Sequence, residues 1–497
     1  MLINFFTKFK KEVRNLDELV NKKNIINSLV WKIIELGGSQ LITFVIQIIL
    51  ARILSPSEFG TMSILLVFVN IAQVFVQGGF NVALVQKKEA DNLDFSSVLY
   101  FSLGISFLLY ILLFYTAPWI SEFYGDYNLT IYLRTIGIVF FAGAVNSVQL
   151  AYLQRKLQFQ VSARSSLIAN TISGIIGIVA AYMSFGIWAL LIQQCMYQIL
   201  NCIIVAILSD WKPLMKFSLY RIKEMFIYGS SILGSNLISN IYLEIRTLII
   251  GRTYNSTSLG YYKRGEQFPN VIVRNVDGAI QAVLLPSLSS QQSDIKIVKR
   301  MVRRSLKTSS FLIFPAMVGM AVTAKNIVVV VLGEKWIPAT SLLIIFSLTY
   351  AIWPIITINL QPMRALGRSD LILKTEIIKK SIGLVIILIT VPISIKAVAI
   401  GFMIERYVET IINAIPNKKL INYTYIEQIK DILPSAVQAI LMGIIIYFVN
   451  FLKLDTLKTL GIQIVVGASI YIALSYILNN EAYTYLLNTT KSYLKRS

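Results

Sequence analysis

Five polar side chains, Gln267, Asn270, Arg274, Asp277 and Gln281, follow one another at spacings of 3, 4, 3 and 4 residues. Such spacing lines one face of an α-helix. The rest of the segment is apolar. Arg274 falls about 11 residues in from its polar start, roughly 16 Å along a helix axis. That depth is near the middle of a bilayer, where a charge costs at least ~2.5–3.5 kcal/mol and normally faces a cavity or a partner. The preceding apolar run carries Glu244, Arg246 and Arg252. Arginine forks match phosphate oxygens. Carboxylates inside a membrane hold a coupling proton or sodium ion, or pair with nearby cations. Asn and Gln faces suit sugar hydroxyls, and equally suit hydrogen bonds between helices.

The same stretch is written twice. An offset of 200 lays Ser39 on Ser239, Arg52 on Arg252, Gly60 on Gly260, Asn70 on Asn270 and Gly78 on Gly278. Gln77 then falls on Asp277 and Asn81 on Gln281. The earlier copy thus has its own polar face: Asn70, Gln73, Gln77 and Asn81. Internal repeats in a membrane chain point to a transporter with its site between the halves. The residues expected to contact substrate are therefore Arg52, Arg246, Arg252, Gln267, Asn270, Arg274 and Gln281, with Asn70, Gln73, Gln77 and Asn81. Glu244, Asp277, Glu405 and Glu409 are the candidates for ion coupling or charge pairing. The competing expectation is internal salt bridges, and for Arg52 and Arg252 a reach toward the interface from helix ends.

The elements that must position these residues are membrane helices. The chain of 497 residues is 56% hydrophobic and only 14% charged, where a soluble protein is about a quarter charged. Apolar runs recur throughout, which predicts an all-α polytopic membrane protein with about fourteen spans. Among them are 30–51, 61–85, 226–250, 263–285, 377–393 and 397–415. With the N-terminus in the cytoplasm, Lys and Arg are roughly threefold more abundant in inside segments. That bias places both termini in the cytoplasm. Residues 1–29 read as a basic cytoplasmic segment and not a cleavable signal. Phe5, Phe6, Phe9, Val13, Leu16 and Val20 could form an apolar stripe on it. The basic run from Lys296 to Lys307 falls inside, where it suits topology and lipid headgroups.

Missing residues narrow the chemistry. The chain has no histidine, so it has no Ser-His-Asp or Cys-His unit and no His-based metal site. Cys195 and Cys202 lie seven apart on one helix and read as core residues. No Walker-type loop is present. No long outside loop offers an active site to a polymerase or ligase. The net charge of +21 serves topology, and nucleic acid is not an expected partner. No cofactor is expected beyond a coupling proton or sodium ion.

The stretch "LIIGRTYNSTSLGYYKRGEQFP" (Leu248 to Pro269), then "LLPSLSSQQSD" and later "VLGEKW", resembles the oligosaccharide flippases of polysaccharide export. "ARILSPSEFG" (Ala51 to Gly60), "LQRKLQF" (Leu153 to Phe159) and "ALGRSD" (Ala365 to Asp370) are similar to that family too. The resemblance implies two pseudo-symmetric six-helix bundles, 30–208 and 226–415. A cytoplasmic linker at 209–225 would join them, with two additional spans within 432–478 and a cytoplasmic tail over 479–497. It implies alternating access in a bacterial cytoplasmic membrane. The implied substrate is an undecaprenyl-diphosphate-linked oligosaccharide for capsule, exopolysaccharide, O-antigen or teichuronic-type polymers. Membrane lipids and a polysaccharide polymerase complex are the implied partners. Family members carry an acidic residue near the place of Arg246, so here the balance shifts toward phosphate or acidic-sugar contact. The alternatives are a multidrug or peptidoglycan-precursor exporter of the same superfamily and, further off, a membrane polymerase or ligase.

Overall fold

The computed structural model describes residues 22–452 and 454–494. The expected N-terminal stripe from Phe5 to Val20 lies outside them. Among the described residues there are helices and turns and no strands. The chain forms two compact units that divide between Gly260 and Tyr261.

The first unit holds α1 (Lys22–Ile53), α2 (Pro56–Gln77), α3 (Phe80–Gln86), α4 (Asn92–Tyr124), α5 (Leu129–Ile136), α6 (Val139–Arg155), α7 (Phe159–Tyr182), α8 (Ile187–Leu208) and α9 (Leu219–Thr253). Local chemistry sets the ends. Ser55 caps α2 with Glu58 in a reciprocal capping box behind Pro56, and Asp91 caps α4 with Asp94 in the same way. Helix α7 packs between α1 and α8 through small residues. Gly174 leaves room for Ile46, and Gly177 for Gln193. Close backbone approach is what small residues contribute inside membranes, where lipid offers no hydrophobic drive between helices.

One span is broken. The expected helix over 61–85 stops at Gly78 and restarts after Gly79, both in left-handed backbone with φ 51° and 74°. A Cβ on Gly79 would lie 2.9 Å from the Cα of Gly229, so α9 crosses this break at backbone contact. The sequence places α9 in the second bundle. By packing, it sits with α2, α3 and α4 in the first unit.

The repeat is visible in the element ends. Helix α1 ends at Ile53 and α9 at Thr253; α2 starts at Pro56 and α10 (Ser256–Ser289) at Ser256. The two starting turns press against each other within the first unit. A Cβ on Gly60 would lie 2.5 Å from the carbonyl carbon of Ser256, and one on Gly260 would lie 2.8 Å from that of Pro56. Each partner is the other's counterpart at offset 200.

The second unit holds the rest of α10, then α11 (Ile295–Val322), α12 (Thr340–Ala351), α13 (Trp353–Ala365), α14 (Ser369–Thr390), α15 (Ile395–Ile421), α16 (Tyr425–Phe448), α17 (Thr456–Ile477) and α18 (Glu481–Leu494). Helix α11 runs against α12, α13, α16 and α18, and α15 against α12, α13 and α14. Its core includes Trp336, fully buried, and Tyr262 edge-on to Phe346 at 4.9 Å.

Ten helices among the described residues are long and apolar enough to cross a membrane. The segments expected at 30–51, 226–250, 377–393 and 397–415 are helical but not among the ten. All four carry charged or polar side chains within the expected span. Large apolar side chains such as Leu112, Tyr115, Trp119 and Ile207 stand exposed, an arrangement suited to lipid.

Candidate functional site

In the first unit, Asn70 on α2 donates to Glu244 on α9 at 2.8 Å, and Thr247 donates to the other oxygen of Glu244 at 3.4 Å. The carboxylate of α9 is thus tied to the middle of α2. Gln73 packs its amide on Gly143 of α6, with Nε2 buried and without a hydrogen-bond partner. Gln77 is exposed. The expected continuous face ends there. Because the helix breaks at Gly78–Gly79, Asn81 belongs to α3 and accepts from Ser147 of α6 at 2.7 Å. Arg52 and Arg252 are exposed at the ends of α1 and α9, Arg252 over the Phe123 ring at 4.9 Å, and Arg246 is half-buried.

In the second unit, Asp277 on α10 is 9% exposed. It accepts from Thr357 at 2.5 Å, from Gln281 at 2.6 Å and from Trp353 at 3.4 Å. Gln361 donates in turn to Gln281 at 3.1 Å. The expected pairing of Asp277 with Arg274 is not made. Hydroxyl, indole and amide groups of α13 and α10 occupy the carboxylate, and Arg274 is exposed with no ion pair among the described residues. Gln267 accepts from Arg264, a guanidinium only 6% exposed. The Oδ1 of Asn270 is buried without a hydrogen-bond partner.

Glu405 and Glu409 belong to one ionic knot. Arg406 bridges both, while Lys379 of α14 bridges Glu409 at 3.0 Å and Glu376 at 2.5 Å. The Arg406 guanidinium lies 4.7 Å from the Phe402 ring centre and 5.8 Å from that of Trp353. Glu376, Glu405 and Glu409 thus share Lys379 and Arg406. Buried pairs of this kind are held by mutual satisfaction, and loss of one partner strands the other.

Sequence reasoning missed Lys379, Thr357, Trp353 and a cluster of four buried amides. In that cluster Asn359 donates to Gln428 at 2.7 Å, and Asn417 donates to Asn359 at 2.7 Å, with Asn413 one turn away. The spacing of Asn413 and Asn417 was the available signal. A second missed seam sits on α1. Glu35, Ser39, Thr43 and Gln47, each four apart, meet Ser162, Ser166, Asn170 and Gln193 of α7 and α8.

The basic run on α11 has a further use. Lys299, Arg303 and Lys307 lie four apart and form ion pairs with Glu427, Asp431 and Glu481. They fasten α16 and α18 rather than serving headgroups alone. In the first unit the corresponding end is built on Asp94, fully buried, which takes Lys87 at 3.0 Å and Arg221 at 3.2 Å. Burial opposes the Lys87 charge, but hydrogen bonds to Asp94 and Glu224 outweigh it and raise its pKa above 10.5. For Asp91, burial is likewise outweighed, by the Asp94 backbone N–H and Arg221, and its pKa falls below 3.8. Cys195 and Cys202 are free and half-buried. Among the described residues no His, Cys, Asp or Glu cluster could hold a metal ion.

Comparison with known proteins places these features in a family. Residues 49–341 match the model of a family described as polysaccharide biosynthesis protein. The chain is 23% identical over 351 residues to the teichuronic acid biosynthesis protein TuaB of Bacillus subtilis, covering 70% of this chain and 73% of that one. It is 25% identical over 333 residues to the succinoglycan biosynthesis transport protein ExoT of Rhizobium meliloti, with 67% of each covered. It is 22% identical over 420 residues to the lipopolysaccharide biosynthesis protein WzxC of Escherichia coli, covering 82% and 81%. The fold is shared with the lipid II flippase MurJ in an inward closed conformation, at TM-score 0.75 and 17% identity over 91% of this chain and 99% of that one. An inward-facing multidrug resistance MATE family transporter shares it at TM-score 0.60 and 13% identity, covering 78% and 98%. The match spans more than half of the chain, which therefore belongs to the polysaccharide biosynthesis protein family of membrane proteins.

Proposed function

We propose that this protein is a flippase. It moves undecaprenyl-diphosphate-linked oligosaccharide units from the cytoplasmic to the outer leaflet of a bacterial cytoplasmic membrane, by alternating access. It is a transporter and not an enzyme. Both termini are cytoplasmic, and the four polar helices join the ten apolar ones as spans. The family match supports this reading, and so do relatives named for teichuronic acid, succinoglycan and lipopolysaccharide biosynthesis. One observation carries the chemistry: Arg274, deep in an apolar helix, is exposed and has no carboxylate bridge among the described residues. A guanidinium in that position is a counter-charge for phosphate oxygens. Arg52, Arg246 and Arg252 add positive charge toward the ends of their helices. Asn70, Gln73, Gln77, Asn270 and Gln281 supply partners for sugar hydroxyls. Asp277, with Glu244 and the Glu405–Glu409 knot, is where a coupling proton or sodium ion would bind.

The test uses a strain lacking the gene but retaining its glycosyltransferases. Lipid-linked oligosaccharide is measured on the cytoplasmic leaflet, and polymer at the surface. The intact gene is expected to clear the first and restore the second; Arg274→Ala, inserted at equal level, is expected to do neither. Normal surface polymer in the deletion strain would sink the proposal.

A further inference from the structure

The first unit contains a cavity that the expected site residues do not reach. Its volume is about 310 Å³, at the small end of the ~300–1,000 Å³ typical of ligand pockets. Three chain reversals build it: those after α1, after α4 and after α7. The end of the unit that carries Lys87, Arg155 and Arg221 is reached by the other set of connections. By the distribution of Lys and Arg, the cavity opens on the outer face.

Its walls combine polar, acidic and aromatic side chains with Phe185 and Ile187. Ser57, Glu58, Thr61 and Asp126 present hydroxyls and carboxylates, while Tyr132 and Trp188 present aromatic rings. The two rings meet edge to face at 5.4 Å, so they stand as a preset corner rather than a loose pair. No Lys or Arg lines the cavity. Glu58 is held by its capping box: one oxygen accepts from the Ser55 N–H at 2.6 Å and from its hydroxyl at 2.8 Å. The other oxygen lies over Gly186. A Cβ there would stand 2.6 Å from it, and Gly186 has φ +56°. Glycine therefore keeps the carboxylate's free side open. One Asp126 oxygen accepts from the Asn128 N–H at 3.1 Å, which fixes that side chain in the cavity wall.

Charge and shape select the ligand class. Two carboxylates without a cation repel phosphate and uronic acids. Hydroxyl groups donate well to carboxylates, and the C–H faces of a sugar ring pack on aromatic faces. A lone metal ion would use the carboxylates and leave the aromatic corner idle. We propose that this cavity is a carbohydrate subsite on the outer face, taking one sugar ring that bears no anionic group. The proposal rests on the flippase reading, and the subsite would receive a ring of the oligosaccharide head after translocation.

The test uses the full chain in lipid nanodiscs, with methyl glucoside, methyl galactoside and methyl mannoside as neutral probes and methyl glucuronide as the anionic one. Saturation-transfer NMR and calorimetry read binding. At least one neutral glycoside is expected to bind at least tenfold more tightly than the glucuronide. Trp188→Ala should weaken it tenfold or more, and Asp126→Asn should narrow the gap to the glucuronide, both at unchanged thermal midpoint. The idea is overturned if no neutral glycoside binds, if the glucuronide binds as well, or if neither substitution changes binding. It is also overturned if calcium alone occupies the site. Should glycosides fail to bind while the gene still clears lipid-linked precursor from the inner leaflet, only the subsite falls. Should they bind while the gene leaves the precursor untouched, the flippase reading falls and the subsite stands.

Discussion

Gly60 and Gly260 offer the sharpest test of the repeat-built contact. Both lie in helices, where Gly→Ala alone would stabilise by ~0.5–1 kcal/mol. Here a methyl on Gly60 would lie 2.5 Å from the Ser256 carbonyl carbon, against the ~3.5 Å at which carbon atoms rest. The Ser256 carbonyl oxygen lies nearer still, so the two starting turns must part by more than about 1 Å. Overpacking of that order costs ~1–3 kcal/mol. Gly260→Ala, starting from 2.8 Å, needs slightly less. Once one methyl has parted the turns, the second finds most of its space already made. The double substitution is then expected to cost little more than Gly60→Ala, with a coupling energy near the smaller single effect. The assay is thermal unfolding of the four proteins in one detergent, where 1 kcal/mol moves the midpoint of a unit this size by about 2–4 °C. Gly104→Ala, with nothing within 4 Å of its added Cβ, is the control and should hold or gain stability. Additive losses, or none, would refute the reciprocal contact.

Asp277→Asn is expected to leave the protein folded, since an amide still bonds Thr357, while abolishing the pH or sodium dependence of precursor clearance in inverted vesicles; an unchanged dependence removes Asp277 from coupling. Asp94→Asn removes the fully buried carboxylate but leaves Lys87 on Glu224 and Arg221 on Asp91, and should cost ~1.5–3 kcal/mol in thermal unfolding. Lys87, with its pKa raised, contributes stability in full below pH 10.5 that is lost as pH rises through its folded value. Asp91, with its pKa lowered, contributes in full above pH 3.8 and loses it as pH falls through its folded value. The destabilisation by Lys87→Met should therefore be level from pH 5 to 9, and a slope there counts against the cluster. Lys379→Met removes the cation shared by Glu376 and Glu409, leaving Glu409 to Arg406, and should cost more than the paired change Lys379→Met with Glu409→Gln, read by the same midpoints.

The helices were legible because apolar runs and caps are local properties: Ser55 with Glu58 and Pro56 announces a helix start by itself. The offset of 200 was legible too, and it reappears in the ends of α1 and α9 to the residue. What stayed hidden depends on packing between distant segments. Nothing near Lys379 in the chain marks Glu409 as its partner, 30 residues on. Helical periodicity put Asn81 on the face of Gln77, but two left-handed glycines reset the phase between them. Hydropathy marked 226–250, which is helical in α9, without showing that Gly229 docks it on the break in the first unit. Asp277 was found by its spacing, while Thr357 and Trp353, which hold it, look like ordinary residues of an apolar helix.

The ionic knot between α14 and α15 also bears on how the chain enters the membrane. Presented singly to the insertion machinery, Lys379 on α14 and Glu405, Arg406 and Glu409 on α15 would each cost up to ~2.5–3.5 kcal/mol at mid-span. Only four residues, Val391 to Ser394, separate the two helices, so the second emerges while the first is still at the exit. Were both helices to span, as proposed, Lys379 would meet Glu409 before either faces lipid, and the pair is expected to go in as a hairpin. A nascent chain cut after Ile393 is expected to leave α14 outside the bilayer, and one cut after Ile421 to carry both helices in, as read by glycosylation mapping. Insertion of α14 from the shorter chain would show that the order of synthesis does not matter here. On that outcome, the charges that join the two finished helices would also set the order in which they enter.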